Sequence, residues 1–227
     1  MDWLNSVRDR GFAIIPDVLT SADFEPLTAT LRDPGIQRSR AGVRHAMRFS
    51  CVSALARDER LLGLAHKILG ESAFPFKATL FDKSSTANWL VVWHQDTALP
   101  LKQRRDMPEW GPWSIKDGLT YAHAPARALS KILALRVHLD DSTADNGPLR
   151  VLPGTHVRGV LSDEAIHDLS PKIPPIDCCV ATGGILAMRP LVVHASSKSR
   201  TEHPRRVLHL EYAESAIIAD GLELAIA

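Results

Sequence analysis

Cysteine is scarce in this chain of 227 residues: there are three, Cys51, Cys178 and Cys179. An odd number without paired spacing excludes a disulfide framework and fits a reducing compartment, so a cytoplasmic protein is expected. The adjacent Cys178 and Cys179 would face opposite ways on a strand, which suits small buried hydrophobes better than a shared ion. Charge of one sign is also missing. Lysine and arginine number 27 against 26 acidic residues, a net charge of +1, so no global field draws the chain to nucleic acid or to membrane phosphates. No apolar run reaches the roughly 18 residues of a membrane span, and the amino-terminal residues show no basic start with an apolar core. No membrane partner is expected, and the oligomeric state is left open.

What is present suits one globular domain over residues 1–227, with 45% apolar residues. Residues 2–10 read as a helix stopped by Gly11, and 12–16 as a short strand closed by Pro16. A second helix follows Thr20 or Ser21, with Phe24, Leu27 and Leu31 at helical spacing. The basic stretch 38–45 reads as a solvated loop. Residues 53–69 give the clearest helix, with Leu55, Leu62, Leu64, Ala65 and Ile68 on one side and Gly70 ending it. Short strands are then expected over 74–81, 89–93, 133–139, 150–152, 176–181, 185–188, 191–194 and 207–212, with a helix over 162–169. A mainly β chain with supporting α-helices follows, as a sandwich or barrel of antiparallel strands. Residues 97–125 form a long insertion containing Arg104, Trp110 and Trp113; such loops are usually functional, and a lid is expected.

The chemistry concentrates at Trp93-His94-Gln95-Asp96, where an apolar strand ends. Residues i and i+2 share a strand face, so His94 and Asp96 would project together. An imidazole and a carboxylate converging in this way are two thirds of the facial triad that holds non-haem Fe(II). His194, ending the run Leu191-Val192-Val193, is the best third ligand. A second copy, His138-Leu139-Asp140, also lies upstream of His194, and spacing does not choose between the two.

The segments 77–97 and 139–159, with Arg189-Pro190-Leu191-Val192-Val193-His194-Ala195-Ser196 and Pro204-Arg205-Arg206, resemble the phytanoyl-CoA dioxygenase family of Fe(II)- and 2-oxoglutarate-dependent oxygenases. The resemblance runs from about Gly11 onward and rests on separated motifs in the family's order. It implies a double-stranded β-helix, the jelly-roll, cupin-like core of such enzymes. It gives the metal to His94, Asp96 and His194, and places the His138 copy on the strand leading into the Asn146-Gly147 turn.

The resemblance further implies Fe(II), 2-oxoglutarate and O2, with succinate and CO2 released as a small-molecule substrate is hydroxylated. Arg205, eleven residues after His194, matches the family's cosubstrate arginine, whose paired N–H groups suit a carboxylate. Ser196 and Thr97 match assisting hydroxyls, and Lys83 lies near a position that relatives use for the cosubstrate. Arg206 would face away from Arg205. Arg136 shares a strand face with His138 and touches cosubstrate or substrate if that face lines the mouth. Arg104, Trp110 and Trp113 are candidate substrate or lid residues, Gln95 is expected to give a supporting hydrogen bond, and His156 to anchor a loop. Retention of Asp96 favours hydroxylation over halogenation, since related halogenases lack that carboxylate. The Gly183-Gly184 turn departs from the Gly-Asp often found in relatives. The alternatives are a cupin-like isomerase or hydrolase with another divalent metal, and a catalytically silent barrel that only binds.

Overall fold

The computed structural model describes residues 2–30, 33, 35–36, 38–39, 42–84 and 87–227. Leu31 of the expected second helix, Pro34, Arg40 and Ala41 of the basic stretch and its approach, and Ser85 and Thr86 lie outside the described residues.

The helices are α1 (Trp3–Arg10), α2 (Glu25–Thr30), α3 (Ser50–Leu55), α4 (Glu59–Leu69), α5 (Ala126–Leu129) and α6 (Asp163–Leu169). The strands are β1 (Phe12–Ile15), β2 (Gly42–Val43), β3 (Phe74–Lys83), β4 (Val91–His94), β5 (Ala98–Leu101), β6 (Trp113–Lys116), β7 (Leu119–His123) and β8 (Ile132–His138). They continue with β9 (Leu149–Val151), β10 (Ile176–Cys178), β11 (Ile185–Met188), β12 (His194–Ser196), β13 (Arg205–Ala213), β14 (Ile217–Ala219) and β15 (Leu222–Glu223).

The expected jelly-roll, double-stranded β-helix core is corrected by the strand pairing. Among the described residues the strands form four separate antiparallel sheets, ordered β1-β11-β8-β13-β3-β2, β10-β9-β12-β4, β5-β7-β6 and β14-β15. A closed barrel needs its last strand hydrogen-bonded to its first. Here β1 and β2, and β10 and β4, are left as edges. The two larger sheets meet through side chains, apolar at one end and charged around a cleft at the other. The result is a mixed fold of helices and antiparallel sheets.

Alternation on β8 shows how the layers are sorted. Leu133, Leu135 and Val137 enter a core with Val7 of α1, Leu27 of α2, Val52 of α3 and Leu61 of α4. Ala134 faces the other way, in a core with Leu149 and Val151 of β9 and Cys178 of β10. Both faces are therefore covered, and β8 is buried throughout.

The single helix expected over 53–69 is two. In a continuous helix the Arg60 N–H would bond the Ala56 carbonyl. Instead Asp58 Oδ1 accepts from Arg60 N at 2.9 Å, and the buried Tyr212 hydroxyl donates to Ala56 O at 2.8 Å. Each group at the break has a side-chain partner, so the break costs no unsatisfied hydrogen bond. The strand expected over 191–194 also shifts: 191–193 turn, and pairing begins at His194. In the Gly183-Gly184 turn the departing position is Gly184, where a Cβ would lie 2.7 Å from Val180 Cγ1, and Gly183 is the glycine shared with the Gly-Asp pattern. At φ 81°, a Cβ on Gly183 would lie 2.0 Å from the Leu19 carbonyl oxygen, so the first glycine is required by the close approach of that loop.

The insertion 97–125 is an antiparallel sheet, with β7 between β5 and β6. Trp110 is buried with Leu99, Leu101, Leu129, Leu222 and Leu224, and Trp113 packs against that cluster. Cys178 is buried and Cys179 exposed, as opposite strand faces require. No helix of the described residues is long and apolar enough to cross a membrane.

Candidate metal centre and cosubstrate cleft

His94 ends β4 and His194 begins β12, and the two are direct partners in the antiparallel pairing. Their ring centroids lie 4.2 Å apart. The chain then leaves the strand, and the Asp96 N–H donates to Pro190 O at 3.0 Å, which aims the carboxylate back at the rings. Asp96 Oδ1 is 3.7 Å from His94 Nε2 and Oδ2 is 3.5 Å from His194 Nε2.

Each histidine sets its Nδ1 2.9 Å from the carbonyl two residues before it, Val92 O for His94 and Val192 O for His194. A carbonyl only accepts, so Nδ1 carries the hydrogen and Nε2 turns its lone pair inward. Two lone pairs and a carboxylate thus face one point, with all three ligand atoms within 4.8 Å of one another. The carboxylate is too far from either Nε2 for a good hydrogen bond. A divalent cation satisfies this donor set, and the outward Nδ1–H bonds are those expected behind metal-ligating histidines. Burial lowers the His194 pKa to about 4, against the upward pull of Asp96, which keeps the imidazole in its neutral, ligating form. Burial pushes the Asp96 carboxyl up, but His194, His94, His209 and Lys77 pull it further down, so it stays ionised.

The cleft around these groups has about 600 Å³ of empty space, its open mouth included. At one end Arg205 of β13, Lys83 of β3 and Arg136 of β8 converge, all buried. Lys83 Nζ donates to Ser196 Oγ at 2.9 Å and to Ser197 O at 2.5 Å, and Arg205 Nη2 lies 3.5 Å from the same Ser196 Oγ. Arg136 Nη1 meets His209 Nδ1 at 3.0 Å, and its Nε has no partner. None of the three cations forms an ion pair with a carboxylate among the described residues. Burial, then Arg205 and Arg136, lower the Lys83 pKa to about 7. Burial and Arg136 hold Arg205 down to about 9. Cations so destabilised favour an incoming anion.

Several expected residues sit elsewhere. Thr97 Oγ1 bonds His123 Nδ1 at 2.7 Å and does not line the cleft. Arg104 is exposed, pairs with Asp106 at 3.0 Å and stacks 5.6 Å over Trp113. Trp110 and Trp113 belong to the core of their own sheet, because burying their rings there removes more apolar surface from water than a mouth position would.

Arg206 turns away from the cleft and grips Asp140, at 2.8 and 2.7 Å through its guanidinium and 2.8 Å through its backbone N–H. That contact removes Asp140 from metal duty. His138 of the same copy is buried with both ring nitrogens unpaired, its pKa pushed down to about 3 by burial and the two arginines.

Gln95 turns away from the cleft. Its amide nitrogen donates to Leu191 O at 2.7 Å and Gly159 O at 3.0 Å, while Oε1 accepts from Leu161 N at 2.8 Å. This tie fixes the segment between the ligands. His156 Nε2 meets Arg8 O at 3.0 Å and anchors its loop to α1.

Sequence reasoning missed Lys77, Thr79, Phe81, His209 and Glu211, which line the cleft from β3 and β13. The available signal was alternation: 77, 79, 81 and 83 on β3, and 205, 209 and 211 on β13, share one face each.

A model of the family described as phytanoyl-CoA dioxygenase (PhyH) matches residues 7–207. The chain is similar to the L-proline trans-4-hydroxylase of Streptomyces griseoviridis, 26% identical over 186 residues, covering 70% of this chain and 61% of that one. It is 24% identical over 242 residues to the ectoine dioxygenase of Halomonas elongata, covering 89% and 66%. The chain therefore spans between three fifths and two thirds of the length of these curated relatives. Among solved structures, the epimerase SnoN from nogalamycin biosynthesis, in complex with Fe3+, alpha ketoglutarate and nogalamycin RO, superposes with a TM-score of 0.72. The identity is 18%, over 94% of this chain and 83% of that one, and the likeness is one of fold.

Proposed function

The chain belongs to the phytanoyl-CoA dioxygenase family, and from that premise we propose that it is an Fe(II)- and 2-oxoglutarate-dependent dioxygenase hydroxylating a small-molecule substrate. One observation carries the reading: a histidine–aspartate–histidine donor set shares a cleft with buried Arg136 and Arg205, with Lys83 behind Ser196, and none of these cations has a carboxylate partner among the described residues. A metal site for hydrolysis or isomerisation, or a barrel that only binds, leaves those cations unexplained.

His94, Asp96 and His194 hold the metal on one face and leave its other positions to small molecules. Iron with 2-oxoglutarate and O2 supplies the oxidising chemistry, with succinate and CO2 as coproducts. Arg205 binds the far carboxylate of 2-oxoglutarate through parallel N–H bonds, Lys83 adds a point charge, and Ser196 positions both. Arg136 completes the electrostatic field at that end. Phe81 and Trp89, lining the same cleft, exclude water from it.

Two relatives are named for small molecules, L-proline and ectoine, which supports a substrate of that scale. The test is anaerobic titration of the Fe(II)-loaded protein with 2-oxoglutarate, followed by oxygen-dependent succinate release without prime substrate. Metal binding without any 2-oxoglutarate binding would overturn the reading.

A further inference from the structure

The cleft has a second cationic pole. Along β3, Lys77 stands six residues before Lys83 on the same face, roughly 20 Å away in an extended strand. The first pole, at Lys83 and Arg205, takes 2-oxoglutarate in the function proposed above. The second lies at Lys77, which lines the same cleft as His94, Asp96 and His194, with Lys116 and Arg44 beyond the cleft's lining.

Three segments distant in sequence build it. Lys77 Nζ lies 5.9 Å from the centroid of the Tyr121 ring, and Lys116 Nζ, from β6, lies 4.9 Å from the same centroid. Tyr121 is buried, and His45 Nε2 fixes its hydroxyl at 2.9 Å. Arg44, beside His45, bears electrostatically on Lys116, His45 and Tyr121 alike.

Charge is incompletely balanced there. Lys77 pairs with Glu211 at 2.7 Å, and the same Glu211 oxygen meets His209 Nε2 at 3.2 Å. One ammonium hydrogen of Lys77 is thereby used, and among the described residues no further hydrogen bond engages the other two. Lys116 and Arg44 form no ion pair among the described residues. Exposed Asp117, on the hairpin turn after Lys116, is the other acidic group whose charge acts on Tyr121 and His45. Bringing like charges together around a half-enclosed aromatic ring is unfavourable unless an anion completes the set. Burial, then Lys77 and Arg44, lower the Lys116 pKa, the consequence of that crowding.

We propose that this second pole binds a carboxylate on the prime substrate through Lys77 and Lys116, with Arg44 adding to the positive field around them. The inference rests on the oxygenase reading, because the cleft that Lys77 lines also holds the metal donors, which makes the second pole a substrate position. The substrate is then a small carboxylic acid, held by its charge at one end so that a carbon near the other end meets the metal. Glu211, beside Lys77, favours an acid that also carries an amino or hydroxyl donor.

The test uses full-length protein loaded with Mn(II) and one equivalent of 2-oxoglutarate, which permits binding without turnover. Three- to six-carbon 2-amino and 2-hydroxy acids, and the matching primary amides, are titrated calorimetrically at low salt. The expected result is 1:1 binding of at least one acid, at least about ten-fold tighter than its amide. The double substitution Arg44→Met with Lys116→Met is expected to weaken that acid about ten-fold or more, with Lys116→Arg restoring most of the loss. Lys172→Met, at an exposed lysine away from the cleft, is the control, and thermal melting checks the fold of each variant. Amides binding as well as acids, the double variant binding as tightly as the parent, or no acid binding at all overturns the proposal. Failure of the initial Mn(II) and 2-oxoglutarate titration would instead remove the oxygenase reading, so the two failures are separable.

Discussion

Lys83 Nζ donates to Ser196 Oγ at 2.9 Å in a pocket where Arg205 and Arg136 are its charged neighbours and no carboxylate answers it. Its pKa falls from 10.5 to about 7, first through burial and then through the two arginines. Between those values the folded protein binds fewer protons than the unfolded chain. This group therefore makes the apoprotein more stable as pH rises through that window, and its full penalty is present below about pH 7. A bound dianion reverses the shift. At pH 8, 2-oxoglutarate binding should take up about one proton, and at pH 6 almost none. Calorimetry in buffers of different ionisation enthalpy measures this uptake. An uptake at pH 8 that persists undiminished in Lys83→Met would assign it to another group.

The two His-x-Asp copies give a second prediction. Asp96→Ala should lower Mn(II) or Fe(II) affinity by more than about 100-fold in a folded protein, since it removes a ligand and not merely a supporting bond. Asp140→Ala should leave metal affinity intact and cost about 1–3 kcal/mol of stability, because Arg206 loses three charge-assisted hydrogen bonds that are only partly shielded from water. Metal titration beside chemical denaturation separates the cases. Iron retained by Asp96→Ala and lost by Asp140→Ala would exchange the roles of the two copies.

Trp110 supplies a third. As a mouth residue on a lid it would affect substrate and hardly affect stability. Buried against Leu99, Leu129 and Leu222, its replacement by alanine should instead cost about 2–4 kcal/mol. Its indole N–H has no partner, so the loss is one of packing alone. A melting temperature within a degree of the parent would return this residue to the surface.

The metal strands were legible because an apolar run ending in His94-Gln95-Asp96 is a local pattern, and so was the inward turn of Arg205 against the outward turn of Arg206. What lay outside the sequence is non-local. Which strands share a sheet depends on pairings such as β3 with β13, more than a hundred residues apart, so the partition into separate open sheets could not be read from strand signals. The same pairing sets Glu211 opposite Lys77 and makes the second pole. The break at Asp58 escaped detection because the hydroxyl that donates to the Ala56 carbonyl comes from Tyr212, far along the chain. The lid expectation for 97–125 rested on the length of the segment and its two tryptophans, and the strands β5, β6 and β7 within it were hidden in short runs of mixed polarity.

The last prediction sets Arg205 against Arg206, adjacent in sequence and opposed in space. Arg205 is buried at 3% exposure, donates from Nε to Asn146 O at 3.3 Å, and has no carboxylate partner among the described residues. Arg206 spends its guanidinium on Asp140. If Arg205 answers the far carboxylate of 2-oxoglutarate, Arg205→Ala should weaken 2-oxoglutarate binding by about 2–5 kcal/mol and leave metal affinity within a few-fold, because it stands outside the donor set. The apoprotein should not lose stability in proportion, since truncation also removes a buried cation that nothing compensates. Arg206→Ala should do the reverse, with 2-oxoglutarate affinity close to the parent and stability lowered as in Asp140→Ala. The double variant Asp140→Ala with Arg206→Ala should then be little worse than either alone, because both single changes break one contact. Calorimetric titration of Mn(II) and then of 2-oxoglutarate into each variant, beside denaturant melts, reads metal affinity, cosubstrate affinity and stability. Unchanged 2-oxoglutarate affinity in folded Arg205→Ala would move the cosubstrate carboxylate to Lys83 and Arg136.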